Sequence, residues 1–474
     1  MRVFLALLLT TLLLAACSID DDETPTPTTE VVTSTPTSES SSDDEESSDE
    51  PAATATATDE EAVSTETDEA GASAEDDAEP TATESTDEPE GDTGEVEAEV
   101  ADIEDEIVDV RGLELLNEIS VEIIDRETLR GRVEELVSED YTQEEADQET
   151  LTYWLLGLLP DRDLDLYQLQ VDLLEEQIAG YYDPETEDLV VVTRDGELRA
   201  IDKVTTAHEI VHALQDQHFD LSAMDETVEE EDAGFAQTAL IEGDATVAMT
   251  LYMLERLDPM EMAEIFEESM FEADNYEVLE NAPPYVAESL TFPYESGQIF
   301  VEALYQEGGF DRVNQAFEDP PSSTEQILHP EKYLDEERDE PMEVSTTDLT
   351  GTLGEGWETV TGDTIGEWDI GIMLDEMGAE NSTDAAAGWG GSEYTIYRSD
   401  SDALATLTTV WDTDEDRAEF LEALQGALDN LDQEGDLALD DDRYLTVVED
   451  GDQITLVTGT NADNVFSAAS AIGS

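Results

Sequence analysis

Negative charge is the dominant constraint on how this chain can fold. It carries 127 acidic residues against 16 lysines and arginines, a formal net charge of −111 over 474 residues. Residues 18–105 hold 33 of the acids and no basic residue, so 94 acids and 15 bases remain in 106–474, a net −79. The part that holds most of the apolar residues must therefore fold against its own repulsion. A field of this sign excludes nucleic-acid binding by phosphate neutralisation, and no nucleic-acid partner is expected. Hydrophobic residues make up 39% of the chain, too many for disorder throughout, so a tail and a core are expected. Cys17 is the single cysteine, which rules out an intramolecular disulfide.

The first seventeen residues have a basic start at Arg2, an apolar run over residues 3–14, and the ending Leu14-Ala15-Ala16-Cys17. The run is too short to span a bilayer and suits a secretory signal. The small residues ahead of the cysteine resemble the lipobox of prokaryotic lipoproteins. That resemblance implies cleavage before Cys17, lipid attachment to its sulfur, and an extracytoplasmic protein anchored to the cell membrane. Residues 18–105 are Ser, Thr, Pro, Ala, Asp and Glu with few large apolar side chains. They are expected to form a disordered tether, spanning roughly 50 Å as a flexible coil and more under self-repulsion.

Order is expected from about Ile107. Residues 126–137, 143–159 (closed by Pro160) and 164–178 have apolar residues at helical spacing. The turn Ala179-Gly180-Tyr181-Tyr182-Asp183-Pro184 leads into a strand at 189–193, and Asp195-Gly196 turns the chain again.

The following segment carries the chemistry. Thr205-Thr206-Ala207-His208-Glu209-Ile210-Val211-His212-Ala213-Leu214 places His-Glu-x-x-His in a helix-prone run. Residues four apart share a helix face, so His208 and His212 can reach one Zn²⁺, with Glu209 beside them as general base. Two residues compete to be the third protein ligand. His218 lies ten residues after His208, but that spacing needs a sharp turn after His212, and the sequence there, Ala213-Leu214-Gln215-Asp216-Gln217, continues as helix. Glu242 lies in Ala239-Leu240-Ile241-Glu242-Gly243-Asp244-Ala245, within a second helical stretch at about 233–257. Its small neighbours allow two helices to approach closely, and Glu242 is the preferred ligand.

His208, Glu209, His212 and Glu242 together resemble the gluzincin group of zinc peptidases. With Gly180-Tyr181-Tyr182-Asp183-Pro184, Gln215-Asp216-Gln217-His218-Phe219 and Ser323-Thr324-Glu325-Gln326-Ile327-Leu328-His329-Pro330-Glu331-Lys332-Tyr333, they resemble a family of bacterial and archaeal predicted zinc metallopeptidases over about 107–340. The resemblance implies a zincin-like α+β fold, mainly helical with a small edge sheet, that cleaves a peptide or protein substrate; an endopeptidase is expected, with aminopeptidase action also open. It also implies that residues 189–193 form the edge strand lining the cleft, and that Asp244 orients a histidine. Tyr181, Tyr182, Tyr294 and His329 remain open as donors to a transition-state oxyanion. The other reading is a non-catalytic surface binding or assembly lipoprotein with a structural zinc.

The expected domain order is a signal at 1–17, a tether at 18–105, a metallopeptidase domain at 106–340, an irregular linker at 341–384 with a short helix near 370–377, and a small α+β module at 385–474. In that module, strands at 393–398 and 403–411, a helix at 415–431, a hairpin of 444–449 with 453–458 and a final short helix give a β-β-α-β-β order.

Acidity this dispersed marks no particular cation partner. It is the surface expected of a salt-adapted protein, for which high ionic strength shortens the Debye length to about 3 Å or less. The melting temperature is expected to fall on transfer to low salt; a value that holds on desalting would contradict this.

Overall fold

A computed structural model describes residues 93–473 apart from 195, 229, 273–275, 436 and 441, and all of them belong to one compact unit. The expected signal peptide, Cys17 and residues 18–92 lie outside the described residues. The fold is mixed α+β. Among the described residues no helix is long and apolar enough to cross a membrane.

Helix α1 (Thr93–Arg111) begins inside the segment expected to be tether. Its Val96, Val100, Ile103 and Ile107 recur every three or four residues and are all buried. A single apolar stripe on an acidic helix is enough to dock it, and composition alone conceals such a stripe. Strand β1 (Ser120–Asp125) and helices α2 (Arg126–Asp140), α3 (Gln143–Leu156) and α4 (Leu166–Gln177) follow. Thr142 and Glu145 close the start of α3 with a reciprocal capping box. Gly157 ends that helix with φ 91°, three residues before Pro160, because glycine enters the left-handed region without steric cost.

Strands β2 (Gly180–Asp183) and β3 (Asp188–Thr193) complete a three-stranded sheet in the order β1-β3-β2, with β3 parallel to β1 and antiparallel to β2. Residues 189–193 are thus the central strand, where the sequence pointed to an edge. The reason lies in their own pattern: Leu189 and Val191 face one hydrophobic core, Val190 and Val192 the other. An unbroken apolar run needs cover on both faces and partners on both sides.

Helices α5 (Ala200–Phe219), α6 (Leu221–Thr227), α7 (Glu231–Arg256), α8 (Pro259–Glu272), α9 (Glu277–Asn281), α10 (Pro284–Gly308) and α11 (Phe310–Glu318) form the helical body. Every residue of α5 from Val204 to Gln215 is buried. It packs against α1, α7 and the sheet, with Ala207, Ile210, Val211 and Leu214 in the same core as Leu189, Val191 and Ala245. Helices α7 and α10 meet almost backbone to backbone: a Cβ on Gly243 would strike the Gly297 carbonyl, and one on Gly297 the Ala239 carbonyl.

After α12 (Thr324–Leu328) and α13 (Pro330–Leu334), the expected linker at 341–384 is largely structured. It supplies α14 (Thr350–Leu353), β4 (Glu358–Asp363), α15 (Glu367–Glu376) and α16 (Ser382–Ala386). Strand β4 pairs with β5 (Trp389–Arg398), so it is the edge of the C-terminal sheet rather than a connection. The remaining elements are β6 (Ala403–Trp411), α17 (Asp414–Asn430), β7 (Asp432–Glu434), β8 (Leu437–Asp440), β9 (Arg443–Asp450), β10 (Gln453–Gly459) and α18 (Ala462–Ile472). The sheet has seven antiparallel strands in the order β4-β5-β6-β10-β9-β8-β7, where the sequence pattern reached four.

One hydrophobic core runs through both halves, with Trp154, Leu155 and Leu156 of α3 in the same cluster as Ile396, Ala405 and Leu456 of the sheet. Thr458 Oγ1 donates to the Leu155 carbonyl at 2.7 Å, and Arg443 donates to the Trp154 carbonyl. Lys332 adds an ionic clamp, its Nζ 2.6 Å from Glu325, 2.8 Å from Asp339 and 2.6 Å from Asp412. This joins α12 and α13 to the residue just after β6.

Gly297→Ala forces a methyl group into the Ala239 backbone. It is expected to destabilise by about 1–3 kcal/mol or more, because neither helix backbone can yield locally. Gly426→Ala in α17 meets nothing within 4 Å and is expected to stabilise by about 0.5–1 kcal/mol. Thermal melts at one salt concentration check the pair, and equal melting temperatures would contradict the close-crossing account.

Candidate metal centre

His208 and His212 lie one turn apart on α5, so their rings share a face, with centroids 4.6 Å apart and planes at 75°. Their Nε2 atoms are 2.8 Å from each other. Glu242, from the middle of α7, brings Oε2 to 3.1 Å from His208 Nε2 and 3.4 Å from His212 Nε2. Gly243 beside it faces Gly297 of α10, and Ala239 and Ala245 are small and buried. Two imidazole nitrogens and one carboxylate oxygen thus converge on one point and could hold a metal ion. A tetrahedral zinc with bonds of roughly 2.0–2.1 Å spaces its ligand atoms about 3.3 Å apart, so the residues fit that ion with adjustments of about half an ångström.

The electrostatics follow from burial, since His208, His212 and Glu242 are at most 3% exposed. Burial and the neighbouring His212 keep His208 neutral, its pKa lowered to about 4. Burial opposes charge on His212 as well, but the Glu242 carboxylate outweighs it and lifts that ring to about 9. Burial would raise Glu242, yet His212 and the contact with His208 pull it down to about 2. The carboxylate is therefore ionised, as a metal ligand must be.

Glu209, also on α5, accepts the Tyr182 backbone N–H of β2 at 2.9 Å through Oε2. Its Oε1 is buried without a hydrogen-bond partner, and burial raises its pKa to about 8. In its ionised form, a carboxylate with one oxygen pinned and the other free is suited to accept and return a proton. The edge strand that touches this group is β2, the strand beside the one expected.

Of the four candidate oxyanion donors, Tyr294 alone reaches the centre, with its hydroxyl hydrogen-bonded to Glu242 and its ring 6.1 Å from that of His208. Tyr182 donates its hydroxyl to Asp216 at 2.9 Å, Tyr181 is bonded to Arg132, and His329 lies 2.8 Å from Glu367.

Of two further positions, only Asp244 departs from the sequence reading. Helix α5 runs on through Gln215 to Phe219, which carries His218 to the exposed surface, where its Nε2 donates to the Glu114 carbonyl at 2.8 Å. Asp244 does not touch a histidine. Gln215 stands between them, with Oε1 2.9 Å from His212 Nδ1 and Nε2 donating to Asp244 Oδ2 at 2.8 Å. Gln215 follows His212 by three residues on the same helix, a spacing visible in the sequence. Arg111, which pairs with Asp244 at 2.7 Å, comes from α1, 133 residues away, and no local pattern points to it.

Residues 355–469 match a family described as a domain of unknown function (DUF8575). The match covers the segment from β4 into α18 and leaves out the metal centre. No curated protein matches the chain, and no solved structure matches it.

Glu242→Ala is expected to abolish stoichiometric zinc retention, whereas His218→Ala should retain zinc as the unaltered chain does. Metal analysis after exhaustive dialysis reads both, and unchanged zinc in the Glu242 variant would reject this donor set.

Proposed function

We propose that this protein is a zinc-dependent peptidase of zincin-like, gluzincin-type architecture. The observation that supports the reading best is the buried convergence of His208 Nε2, His212 Nε2 and Glu242 Oε2 on one point, with Glu209 next to the first ligand in sequence. When bound, zinc would polarise the scissile carbonyl and acidify the attacking water. Glu209 takes the water's proton at Oε1 while Tyr182 N–H keeps Oε2 in place, and then delivers that proton to the leaving amine. Tyr294, beside Glu242, is the hydroxyl available to an oxyanion developing on the substrate. Gln215 holds His212 in orientation throughout.

The proposal extends to placement in the cell. The Leu14-Ala15-Ala16-Cys17 sequence supports lipid anchoring at Cys17, with the acidic stretch after it as a spacer and the enzyme outside the cytoplasm. The acid excess supports work at high salt.

A second reading is favoured by the burial itself: His208, Glu209, His212 and Glu242 are all at most 3% exposed. A structural zinc in a non-catalytic binding or assembly lipoprotein would be enclosed in this way.

Glu209→Gln separates the two. On the peptidase reading the variant retains zinc, and cleavage of a broad peptide library falls by about 10²–10⁴-fold, the usual contribution of a general base. Zinc retention with undiminished cleavage would end the mechanism, and a zinc-loaded protein that cleaves nothing before mutation would favour the structural reading.

A further inference from the structure

The strongest unused feature is a fully buried arginine in a chain with very few bases. Arg111, the last residue of α1, is 0% exposed. Its Nε lies 2.7 Å from Asp244 Oδ1 and 3.0 Å from Oδ2, its Nη2 donates to Asn314 Oδ1 at 2.7 Å, and its guanidinium carbon lies 4.4 Å from the centroid of the Phe310 ring. We propose that Arg111 is a positioning residue of the metal centre, acting on His212 through Asp244 and Gln215, and that α1 is thereby an integral part of that centre. This deepens the zinc reading and rests on it.

Four side chains, Arg111, Asp244, Gln215 and His212, form a continuous chain of contacts. Gln215 Nε2 faces two groups that can only accept, Asp244 Oδ2 at 2.8 Å and the Ile241 carbonyl at 3.0 Å. This determines which end of the amide is nitrogen, so Oε1 must face His212 Nδ1 at 2.9 Å. An oxygen there accepts, so Nδ1 carries a proton and Nε2 remains the atom aimed at His208 and Glu242. If the amide were reversed, its NH₂ would face Nδ1, and the imidazole would favour the form with its proton on Nε2, which cannot bind a metal there.

Asp244 is the charged member of the two acceptors that hold the amide, and it makes the shorter bond. Asp244 is 0% exposed and lies two residues from the Glu242 carboxylate on the same helix. Arg111 is the cation that pairs with it. A buried ion pair of this kind contributes little net stability, but removing one member leaves an uncompensated buried charge. The guanidinium also has its direction set by Asn314 and Phe310 of α11. The orientation of a metal ligand on α5 is thus carried through α7 to a residue on the first described helix.

The test uses the full-length chain with ¹⁵N-labelled histidine, which gives only four imidazoles to assign. In the metal-free unaltered protein, the His212 Nδ1–H, bonded to Gln215, is expected as a distinct proton resonance that exchanges slowly with water. In Arg111→Met that resonance should be lost to exchange, and the zinc dissociation constant, from competition with a chromophoric chelator, should rise about 10–100-fold. Arg111→Lys keeps a cation beside Asp244 and should restore the resonance and most of the affinity.

A folded Arg111→Met protein with the resonance intact and zinc affinity within twofold of the unaltered chain would overturn the proposal. If the methionine variant does not fold, the lysine variant decides alone: a folded Arg111→Lys lacking the resonance overturns the relay, and a retained resonance supports it. The two readings fail separately, since the absence of zinc binding by the unaltered chain would remove the peptidase reading, while the exchange measurement needs no metal.

Discussion

How closely α7 can approach its neighbours governs the rest of the centre. Gly243 and Gly297 let α7 and α10 cross with almost nothing between their backbones, and Ala239 supplies the third small surface. Helix α7 also packs against α5, so the Glu242 carboxylate reaches both imidazoles while Asp244, two residues on, pairs with Arg111 of α1. One helix thus supplies the carboxylate that meets both histidines and the residue to which Gln215, the partner of His212, donates. A larger residue at either glycine would act on both.

The same helix fastens the two halves of the molecule. At its start, Asp232 accepts the Thr324 backbone N–H of α12 and sits against Gly366, where no Cβ would fit. Glu231 donates its own backbone N–H to Asp363 at the end of β4. The C-terminal sheet, which carries the match to the domain of unknown function, is therefore connected to α7 by hydrogen bonds as well as by the core it shares with α3. On the peptidase reading the sheet contributes to where Glu242 stands without supplying a residue to the chemistry.

Acidity acts differently inside and outside. On the surface the dispersed carboxylates repel one another, and salt governs that term. Inside, three buried carboxylates stand against bases: Asp244 against Arg111, Glu242 against the histidines, and Glu325 against Lys332. Glu209 keeps one oxygen bonded and one without a partner. With so few bases in the chain, those that are buried mark where a carboxylate had to be held.

Much of this was open to reading from the chain alone. His208, Glu209 and His212 share a helix, and a helix has one period, so their common face follows from spacing. Glu242 stood out because small residues surround it, and Gln215 ruled out the turn that His218 would need. The hairpin of β9 and β10 around Gly451 was equally local. Strand order was not local: β3 became central through partners up to 68 positions away, and β4, β7 and β8 are too short or too polar to signal a sheet by themselves. The stripe on α1 was legible by spacing yet obscured by the acids around it. Sequence by itself brought His208, Glu209, His212 and Glu242 forward as one candidate donor set, because that pattern is written in neighbouring residues on helices. Tertiary structure alone decided which tyrosine stands beside Glu242, which strand borders Glu209, and that Arg111 pairs with Asp244, because those depend on contacts between segments whose sequences carry no mark of one another.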